Sequence, residues 1–212
     1  MNDRIYYMDA GVFEDEEFFK RAYDLQPQYR KDKIDRMKYD KDRRLSLGAG
    51  YLLIRALEEY GIDTSDINVS DEGKPALRGY PDIHFNLSHS GDKAMCIIGS
   101  RPCGCDIERK RDIDLKLSER FFAPSEDEYI RNSEERENSF FRVWTLKESF
   151  IKATGEGLKR PLSSFEMVMG DEIRVKGMEE WFFHEVDRYE GYSMSCCTMS
   201  AEEPDLIEIV FE

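Results

Sequence analysis

The sequence predicts an α+β fold in which helices pack on antiparallel sheets. Short alternating segments bounded by Gly and Pro turns indicate strands, as in the hairpin pattern of residues 82–100. Two longer segments, residues 43–61 and 140–155, carry apolar residues at helical spacing. Helices and strands occur together in each half of the chain, and no internal sequence repeat or low-complexity linker separates them.

The first half begins with an alternating segment, residues 5–10, which is followed by a strongly charged stretch. The next segment predicts an amphipathic helix that stops near Gly61, because glycine often ends helices. The apolar face of this helix is formed by Leu47, Tyr51, Ile54 and Leu57. Residues 67–69 predict a short strand, residues 70–75 a turn, and residues 90–92 the turn of the hairpin.

The second half is predicted to open with helices and to close with strands. Ser125 has capping-box spacing to Glu128, which predicts a helix start at that serine. A longer helix is predicted to end near Gly155. Five short segments with a strand pattern follow, at residues 165–169, 173–177, 181–186, 192–199 and 206–211.

The chain is strongly acidic, with a net charge of -14 at pH 7 over 212 residues. That charge opposes general binding to nucleic acid or to an anionic membrane surface. No apolar run approaches the roughly 18 residues of a transmembrane helix, and the N-terminal segment lacks the apolar core of a secretory signal. The five cysteines lack the spacing of a zinc site, and we interpret them as reduced thiols of a cytoplasmic protein.

Residues 103–108, with the sequence CGCDIE, form a predicted strand with an acidic end. Asp106 and Glu108 lie two positions apart, so a strand directs both side chains to one side, away from Ile107. Neighbouring carboxylates raise the cost of ionising each other. A solvated strand end explains such a pair, and so does a bound cation.

The long predicted helix carries Trp144, Glu148 and Lys152 on one face, because these residues are four positions apart. Glu148 and Lys152 also have the spacing of an ordinary surface ion pair. If the helix packs across the end of the acidic strand, Glu148 joins Asp106 and Glu108. Three carboxylates suit a hard cation such as Mg²⁺, and Lys152 would then lie where a phosphate needs a positive charge.

Three further residues have the chemistry of a phosphate site. Lys74 lies in a tight turn, and Ser88 and His89 lie at a strand end beside another turn. An ammonium, a hydroxyl and an imidazole near turn N–H groups can bind an anion, although each also occurs as an ordinary turn or core residue. His84 and His184 lack such surroundings, and we interpret them as structural.

Residues 28–44 form a basic patch in this acidic chain. The patch holds eight basic and four acidic residues, which gives a local charge of about +4. Such a composition is typical of a solvated helix face, and it also suits the capture of an anion-rich ligand.

Five sequence blocks together resemble the Sfp-type 4′-phosphopantetheinyl transferases. They are GKP (73–75), FNLSHS (85–90), GCDIE (104–108), RFFAPSE (120–126) and WTLKESFIKATGEGL (144–158), in that order. The resemblance covers residues 28–165. It implies a monomer of two similar α+β subdomains related by pseudo-two-fold symmetry, which we place at residues 1–104 and 105–212.

The resemblance implies that a serine hydroxyl of an apo acyl or peptidyl carrier protein attacks the β-phosphorus of coenzyme A. The 4′-phosphopantetheine arm moves to that serine, and 3′,5′-ADP leaves. The implied ligands of Mg²⁺, with Mn²⁺ as an alternative metal, are Asp106, Glu108 and Glu148. Lys152 would contact the pyrophosphate, and Glu126 would act as the general base or organise a metal-bound water.

Contacts to coenzyme A are also implied by the resemblance. They fall on Arg30, Lys33 and Arg44 near the 3′-phosphate, and on Lys74, Ser88 and His89 for the nucleotide half. Cys105 stands where the family usually has an aliphatic residue, and a cysteine is small and apolar enough to replace it. Because carrier proteins are usually acidic, docking would rest on an apolar patch and local basic residues.

Two other functions use the same residues. A metal-dependent nucleotide pyrophosphatase or phosphodiesterase needs the acidic cluster but uses water as the acceptor. A non-catalytic module would bind coenzyme A or a carrier protein without chemistry. We expect the transferase, acting in the cytoplasm in fatty-acid or secondary-metabolite biosynthesis, with no nucleic-acid or membrane partner.

Overall fold

The computed structural model describes residues 2–69 and 75–211. The chain divides into two compact units, Met1–Ser100 with Pro204–Glu212, and Arg101–Glu203. The division after residue 100 lies close to the predicted one after residue 104. The C-terminal residues differ from the prediction, because they return to the first unit and pair with its N-terminal strand.

The described residues form short strands and longer helices. The strands are β1 (Arg4–Asp9), β2 (Ile67–Val69), β3 (Pro75–Leu77), β4 (His84–Ser90), β5 (Lys93–Gly99), β6 (Gly104–Arg109), β7 (Met167–Val168), β8 (Arg174–Val175), β9 (Phe182–Glu185), β10 (Tyr192–Thr198) and β11 (Asp205–Glu208). The α-helices are α1 (Glu16–Asp24), α2 (Gln28–Asp35), α3 (Asp40–Glu58), α4 (Lys116–Phe121), α5 (Pro124–Asn132) and α6 (Arg136–Thr154). Short 3₁₀ helices cover Ala10–Glu14, Thr64–Asp66, Gly157–Lys159 and Leu162–Ser164.

The first unit is built on a four-stranded sheet with the order β11-β1-β5-β4. β1 and β4 each run antiparallel to β5, whereas β11 runs parallel to β1. The predicted hairpin of β4 and β5 is confirmed, and Gly91 in its turn has a φ of 66°, a left-handed conformation that glycine adopts readily. A two-stranded sheet of β2 and β3 accompanies the main sheet.

The core of the first unit lies between helix α3 and the main sheet. Leu47 and Leu57 on α3 are fully buried, as predicted, and they belong to one hydrophobic cluster with the sheet residues Tyr6, Met8 and Cys96. Burying apolar side chains of this size is the main stabilising contribution to folding, at about 1.5–3 kcal/mol each. The helix therefore forms where the sequence pattern predicts it.

The second unit also packs a long helix on an antiparallel sheet. Its sheet has the order β6-β10-β9, and α6 packs on β6 and β10. Gly104 at the start of β6 makes this packing close, because a Cβ there would collide with the carbonyl oxygen of Ser149 and crowd the backbone of Lys152. Each unit therefore packs a 19-residue helix, α3 or α6, on a sheet, and the predicted α+β class is confirmed.

Two hydrophobic clusters surround α6. Leu146 and Phe150 pack with Phe165, Met167 and Val175 on one side. The other cluster consists of Phe122, Ile130, Phe140, Phe141 and Val143, and it joins α6 to α5 and to the segment before it. Residues on opposite sides of α6 are therefore held in place by apolar packing.

The start of α5 differs from the prediction. The helix begins at Pro124, and the side chain of Glu126 accepts a hydrogen bond from the backbone N–H of Ala123 at 2.7 Å. Ser125 lies inside the helix and donates to Glu166 at 2.7 Å. Proline is favoured at the first helical position, and a glutamate two residues later reaches back to the helix start, so this pattern displaces the predicted serine cap.

Within residues 2–69 and 75–211, no helix combines the length and apolar character that a membrane crossing requires.

All five cysteines are buried thiols. Cys105 and Cys196 lie directly opposite each other on β6 and β10. The left-handed Gly155, with a φ of 75°, ends α6 where the sequence predicts.

Candidate functional site

The acidic pair of β6 faces helix α6. Asp106 and Glu108 share a strand face with Gly104, which lies against the α6 backbone. Asp106 is buried, with 4% of its surface exposed, whereas Glu108 is only partly buried. Ile107 points the other way and is fully buried, as the alternation predicts. The acidic pair is therefore not a solvated strand end.

Lys152 of α6 reaches this acidic pair. Its Nζ donates to Asp106 Oδ1 at 2.6 Å and to the carbonyl oxygen of Cys105 at 3.1 Å. Burial opposes protonation of the amine, but the charges of Asp106 and Glu148 and the hydrogen bond to Asp106 together raise the pKa of Lys152 above its ordinary value. The lysine is thus held as a cation against the strand end.

Glu148 lies one turn before Lys152 and responds to the same charges. Burial raises the pKa of Glu148, and the negative charges of Asp106 and Glu108 raise it further, although Lys152 opposes them. At the exposed edge, Arg111 lies 3.8 Å from Glu108, a distance at which a surface ion pair contributes little. The three carboxylates therefore share one electrostatic environment.

The carboxylates do not form a ready metal site. Among the residues that the structure describes, no three His, Cys, Asp or Glu side chains are gathered closely enough to hold a metal ion as they stand. The Lys152 amine lies instead against Asp106. The helix packs across the strand as expected, but the side chains would have to turn before they could share one cation.

Two serines on β10 complete the polar face beside the acidic pair. Ser195 lies opposite Asp106 in the strand register, and Ser193 lies opposite Glu108. The hydroxyls of Ser193 and Thr145 are 3.1 Å apart. Ser195 is fully buried, and its hydroxyl has no hydrogen-bond partner among the described residues. The sequence pattern indicated a strand here, and its alternation could have assigned both serines to this face.

Glu126 and Lys147 form a buried ion pair away from this acidic group. Both side chains are 0% exposed, and Lys147 Nζ donates to Glu126 Oε1. Burial lowers the pKa of Lys147, while the charge of Glu126 opposes that change. The sequence analysis assigned no role to Lys147. Because Lys147 immediately precedes Glu148 in α6, the two side chains lie on different faces of the helix.

Trp144 belongs to an aromatic cluster. Its ring lies 5.8 Å from the Phe140 ring in a stacked geometry and 6.2 Å from both Phe121 and Phe122. Such contacts stabilise the packing of α6 on the segment before α5. The tryptophan therefore shares a helix face with Glu148 while serving the hydrophobic packing.

The first unit brings together three of the predicted coenzyme A contacts. Arg30, Lys33 and His89 line one cavity of about 180 Å³, together with Pro75 and Phe85. Pockets for whole drug-sized ligands are typically about 300–1,000 Å³, so this cavity suits one part of a larger molecule. Its charged side chains are cationic, which favours an anionic part.

Arg30 is unusual because it is buried, with 5% of its surface exposed, and pairs with no carboxylate among the described residues. It donates to the carbonyl oxygen and hydroxyl of Ser46, and burial lowers its pKa. Desolvation and the charge of Arg30 likewise lower the pKa of Lys33. Gly50 leaves room for the guanidinium, since a Cβ there would lie 2.9 Å from Arg30 Nε.

The other predicted contacts are placed differently. Arg44 lies 3.3 Å from Glu14 and does not line the cavity. Ser88 is buried in β4, next to His89. Lys74 lies outside the described residues. The structure thus groups Arg30, Lys33 and His89, and it separates Arg44 from them.

Comparison with known proteins identifies relatives over most of the chain. Family models described as "4′-phosphopantetheinyl transferase superfamily" and "4′-phosphopantetheinyl transferase, N-terminal" match residues 102–197 and 14–101. A 4′-phosphopantetheinyl transferase of Bacillus subtilis is 35% identical over 191 residues, 85% of this chain and 85% of that protein. The 4′-phosphopantetheinyl transferase Sfp of Bacillus subtilis strain 168 is 33% identical over 216 aligned positions, 96% of this chain and 95% of that protein.

Among solved structures, the holo-[acyl-carrier-protein] synthase (AcpS) of Thermotoga maritima matches with a TM-score of 0.39 and 20% identity. The match covers 45% of this chain and 61% of that chain.

Proposed function

We propose that this chain, which belongs to the 4′-phosphopantetheinyl transferase superfamily, moves the 4′-phosphopantetheine arm of coenzyme A to a serine hydroxyl of an apo carrier protein. The observation that carries this proposal is the meeting of Asp106, Glu148 and Lys152 on the packed surface of β6 and α6. These residues lie inside the segment, residues 102–197, that matches the superfamily model.

The chemistry of the acidic group supports a divalent metal. Asp106, Glu108 and Glu148 would hold Mg²⁺, since carboxylate oxygens are the ligands this hard cation prefers. Burial and the charges of Asp106 and Glu108 raise the pKa of Glu148, and a bound cation would offset both the burial and the repulsion of the ionised carboxylate. When bound, Mg²⁺ would neutralise charge on the pyrophosphate and polarise the phosphorus under attack; Mn²⁺ would supply the same chemistry.

In the proposed reaction, the serine oxygen forms a bond to the β-phosphorus, and the bond from that phosphorus to the oxygen of 3′,5′-ADP breaks. The hydroxyl proton passes to water as the new phosphodiester forms. Lys152, held as a cation beside Asp106, would contact the pyrophosphate and stabilise negative charge as it develops on the leaving group. The protein then contributes mainly by positioning and electrostatics.

The cationic cavity of the first unit would bind a phosphate of the nucleotide end of coenzyme A. Arg30 supplies a buried guanidinium, and Lys33 and His89 line the same cavity. No carboxylate among the described residues pairs with Arg30, and a bound phosphate would provide the missing negative charge. Ser88 and Arg44 are weaker assignments, since they do not line the cavity. Lys74 lies outside the described residues, and its assignment rests on the sequence resemblance.

We propose an enzyme that acts as a monomer in the cytoplasm, without a nucleic-acid or membrane partner. The buried thiols support a reducing compartment. The net charge of -14 would repel an acidic carrier protein at long range, so docking would rest on local contacts. Fatty-acid and peptide-synthetase carriers both remain candidates under this proposal.

The proposal is tested by incubating the protein with coenzyme A, Mg²⁺ and a panel of apo carrier proteins from both pathways, followed by mass spectrometry of the carriers. We expect at least one carrier to gain one phosphopantetheine group, with release of 3′,5′-ADP. The Asp106→Asn variant should lose this transfer, while the Glu185→Gln variant, which changes the same charge elsewhere in the unit, should retain it.

The same assay separates the two alternatives. A pyrophosphatase or phosphodiesterase would release 3′,5′-ADP without a carrier protein, with water as the acceptor. A binding module would retain coenzyme A in calorimetry without releasing any product. If no carrier in the panel gains mass, the transferase proposal is rejected.

A further inference from the structure

The buried pair of Glu126 and Lys147 connects three separate segments of the second unit. Glu126 Oε1 accepts from Lys147 Nζ and, at 2.6 Å, from the backbone N–H of Met167. Glu126 Oε2 accepts from the backbone N–H of Ala123 at 2.7 Å. The carboxylate therefore joins the start of α5, the middle of α6 and the strand β7.

Lys147 is fixed equally firmly. Its Nζ also donates to the carbonyl oxygen of Phe165 at 2.8 Å, and it lies 4.3 Å from the centre of the Phe165 ring. The side chain is 0% exposed and has hydrogen-bonding and cation–π partners in place. A lysine held in this way allows its helix little rotation about its own axis.

These contacts do not suit a general base. A general base must come within hydrogen-bond reach of the hydroxyl proton that it removes. The Glu126 side chain is fully buried, and both of its oxygens already accept hydrogen bonds from groups of the protein. The buried position of Glu126 therefore keeps its carboxylate away from a substrate hydroxyl.

The position of Lys147 on α6 shows what the pair can do instead. Lys147 precedes Glu148, so the two side chains leave the helix about 100° apart. Gly104 sets how closely α6 approaches β6, and the buried pair joins the same helix to the start of α5 and to β7. With both restraints in place, Glu148 and Lys152 face Asp106.

We propose that the pair of Glu126 and Lys147 is a positioning device that orients α6 so that Glu148 and Lys152 face the acidic end of β6. Glu126 is a positioning residue in this chain, acting through Lys147, and it is not the base that deprotonates the serine. This inference rests on the proposed transferase function, and it assigns a role to Lys147 in the reaction.

The test compares Glu126→Gln, Lys147→Met and the double variant with the wild type. Glu185→Gln is the matched control, because Glu185 pairs with Arg142 of the same helix at 2.7 Å but is partly exposed. Mn²⁺ binding is measured by calorimetry with saturating coenzyme A and no carrier protein. The kcat, the KM for coenzyme A and the pH profile of kcat are measured with a carrier.

We expect each single variant to weaken Mn²⁺ binding about tenfold and to lower kcat more than it raises KM, because Glu148 is misaligned. The double variant removes both buried charges and should recover most of the lost Mn²⁺ affinity. The pH profile of Glu126→Gln should keep the wild-type limbs. The control should stay within about twofold of the wild type.

Three results would overturn the inference. Loss of one limb of the pH profile in Glu126→Gln, with Mn²⁺ affinity intact, would identify Glu126 as the base. If both single variants fold and bind Mn²⁺ as tightly as the wild type, the pair of Glu126 and Lys147 stabilises the fold without orienting Glu148. A double variant with no gain over the singles would exclude the coupling.

Two further points keep the test decisive. If the single variants do not fold, the double variant is compared with the wild type. Loss of one limb of the pH profile of kcat in the double variant would also reject the proposal. If the wild type modifies no carrier, the transferase function fails, whereas the Mn²⁺ measurements still report whether the pair orients Glu148.

Discussion

The two units differ in the sign of their unbalanced side-chain charge, which is positive at the cavity of the first unit and negative at the acidic group of the second. In the first unit, Arg30 is buried with no carboxylate partner among the described residues, and Lys33 lines the same cavity. In the second unit, Asp106 and Glu148 share a surface with Glu108, and Lys152 is the cation pressed against it. Buried charges are costly unless they are paired, so each unit is better satisfied when a ligand of the opposite sign is bound.

Under the proposed function, coenzyme A and a divalent cation would supply both of the required charges. The phosphates of coenzyme A would be the anions bound in the cavity of the first unit, and Mg²⁺ would be held by the carboxylates of the second unit. Under the proposed function, the difference between the units assigns each of them to a different part of one reaction mixture. The cationic cavity of the first unit is already formed, whereas the carboxylates of the second unit would have to turn before they could hold one cation.

The largest effect should come from removing one charge of the acidic group. We expect Glu148→Gln to lower kcat about 100-fold or more, because a neutral amide is a poor ligand for Mg²⁺ and cannot balance Lys152. The measurement is carrier modification at saturating coenzyme A and Mg²⁺. Glu137→Gln, on an exposed position of the same helix, is the control. Near-normal turnover of Glu148→Gln would remove Glu148 from the proposed metal site.

A smaller effect should follow from removing the buried cation of the first unit. We expect Arg30→Met to raise the KM for coenzyme A about tenfold with little change in kcat, since a charge-assisted hydrogen bond to phosphate contributes about 1.5–3 kcal/mol. Steady-state kinetics over a range of coenzyme A concentrations measure both constants.

Lys31→Met, which removes a charge of the same helix, is the control, because Lys31 donates to the carbonyl oxygen of Asp24 outside the cavity. An equal rise in KM for both variants would mean that general electrostatic attraction, and not the cavity, binds the nucleotide.

Much of the fold could be predicted from local patterns. The hairpin of β4 and β5, the two long helices and the late strands follow from alternation, helical spacing and glycine stops. The pairing of β11 with β1 could not be predicted. β11 has four residues, of which two are apolar, and so short a pattern does not specify the partner strand. Long-range strand pairing depends on the packed core of the whole unit.

The candidate site shows the same limit. Spacing predicted that Asp106 and Glu108 share a side and that Glu148 and Lys152 share a face, and the structure brings these elements together. The close contact of Lys152 with Asp106 could not be predicted, because it depends on side-chain conformations in a crowded space. The burial of Glu126 against Lys147 was equally hidden, since both residues have the sequence appearance of surface charges.

The smallest predicted effect concerns stability without a metal. The pKa of Glu148 is raised in the folded protein, so the folded state holds this proton more tightly than the unfolded chain does. At pH 7 the ionised side chain therefore costs stability, and this cost disappears as the pH falls through the raised pKa towards the ordinary value of 4.5. In EDTA at pH 7, Glu148→Gln should be more stable than the wild type by about 1 kcal/mol or less, because water screens a half-buried charge.

Chemical denaturation in EDTA at several pH values measures this difference, which should shrink as the solution becomes more acidic. Saturating Mg²⁺ and coenzyme A should reverse the order, because binding to the folded state stabilises the wild type more than the variant. A variant that is less stable at pH 7 in EDTA would show that the Glu148 carboxylate makes stabilising contacts of its own. The second unit would then not be short of a cation, and the contrast between the two units would rest on Arg30 alone.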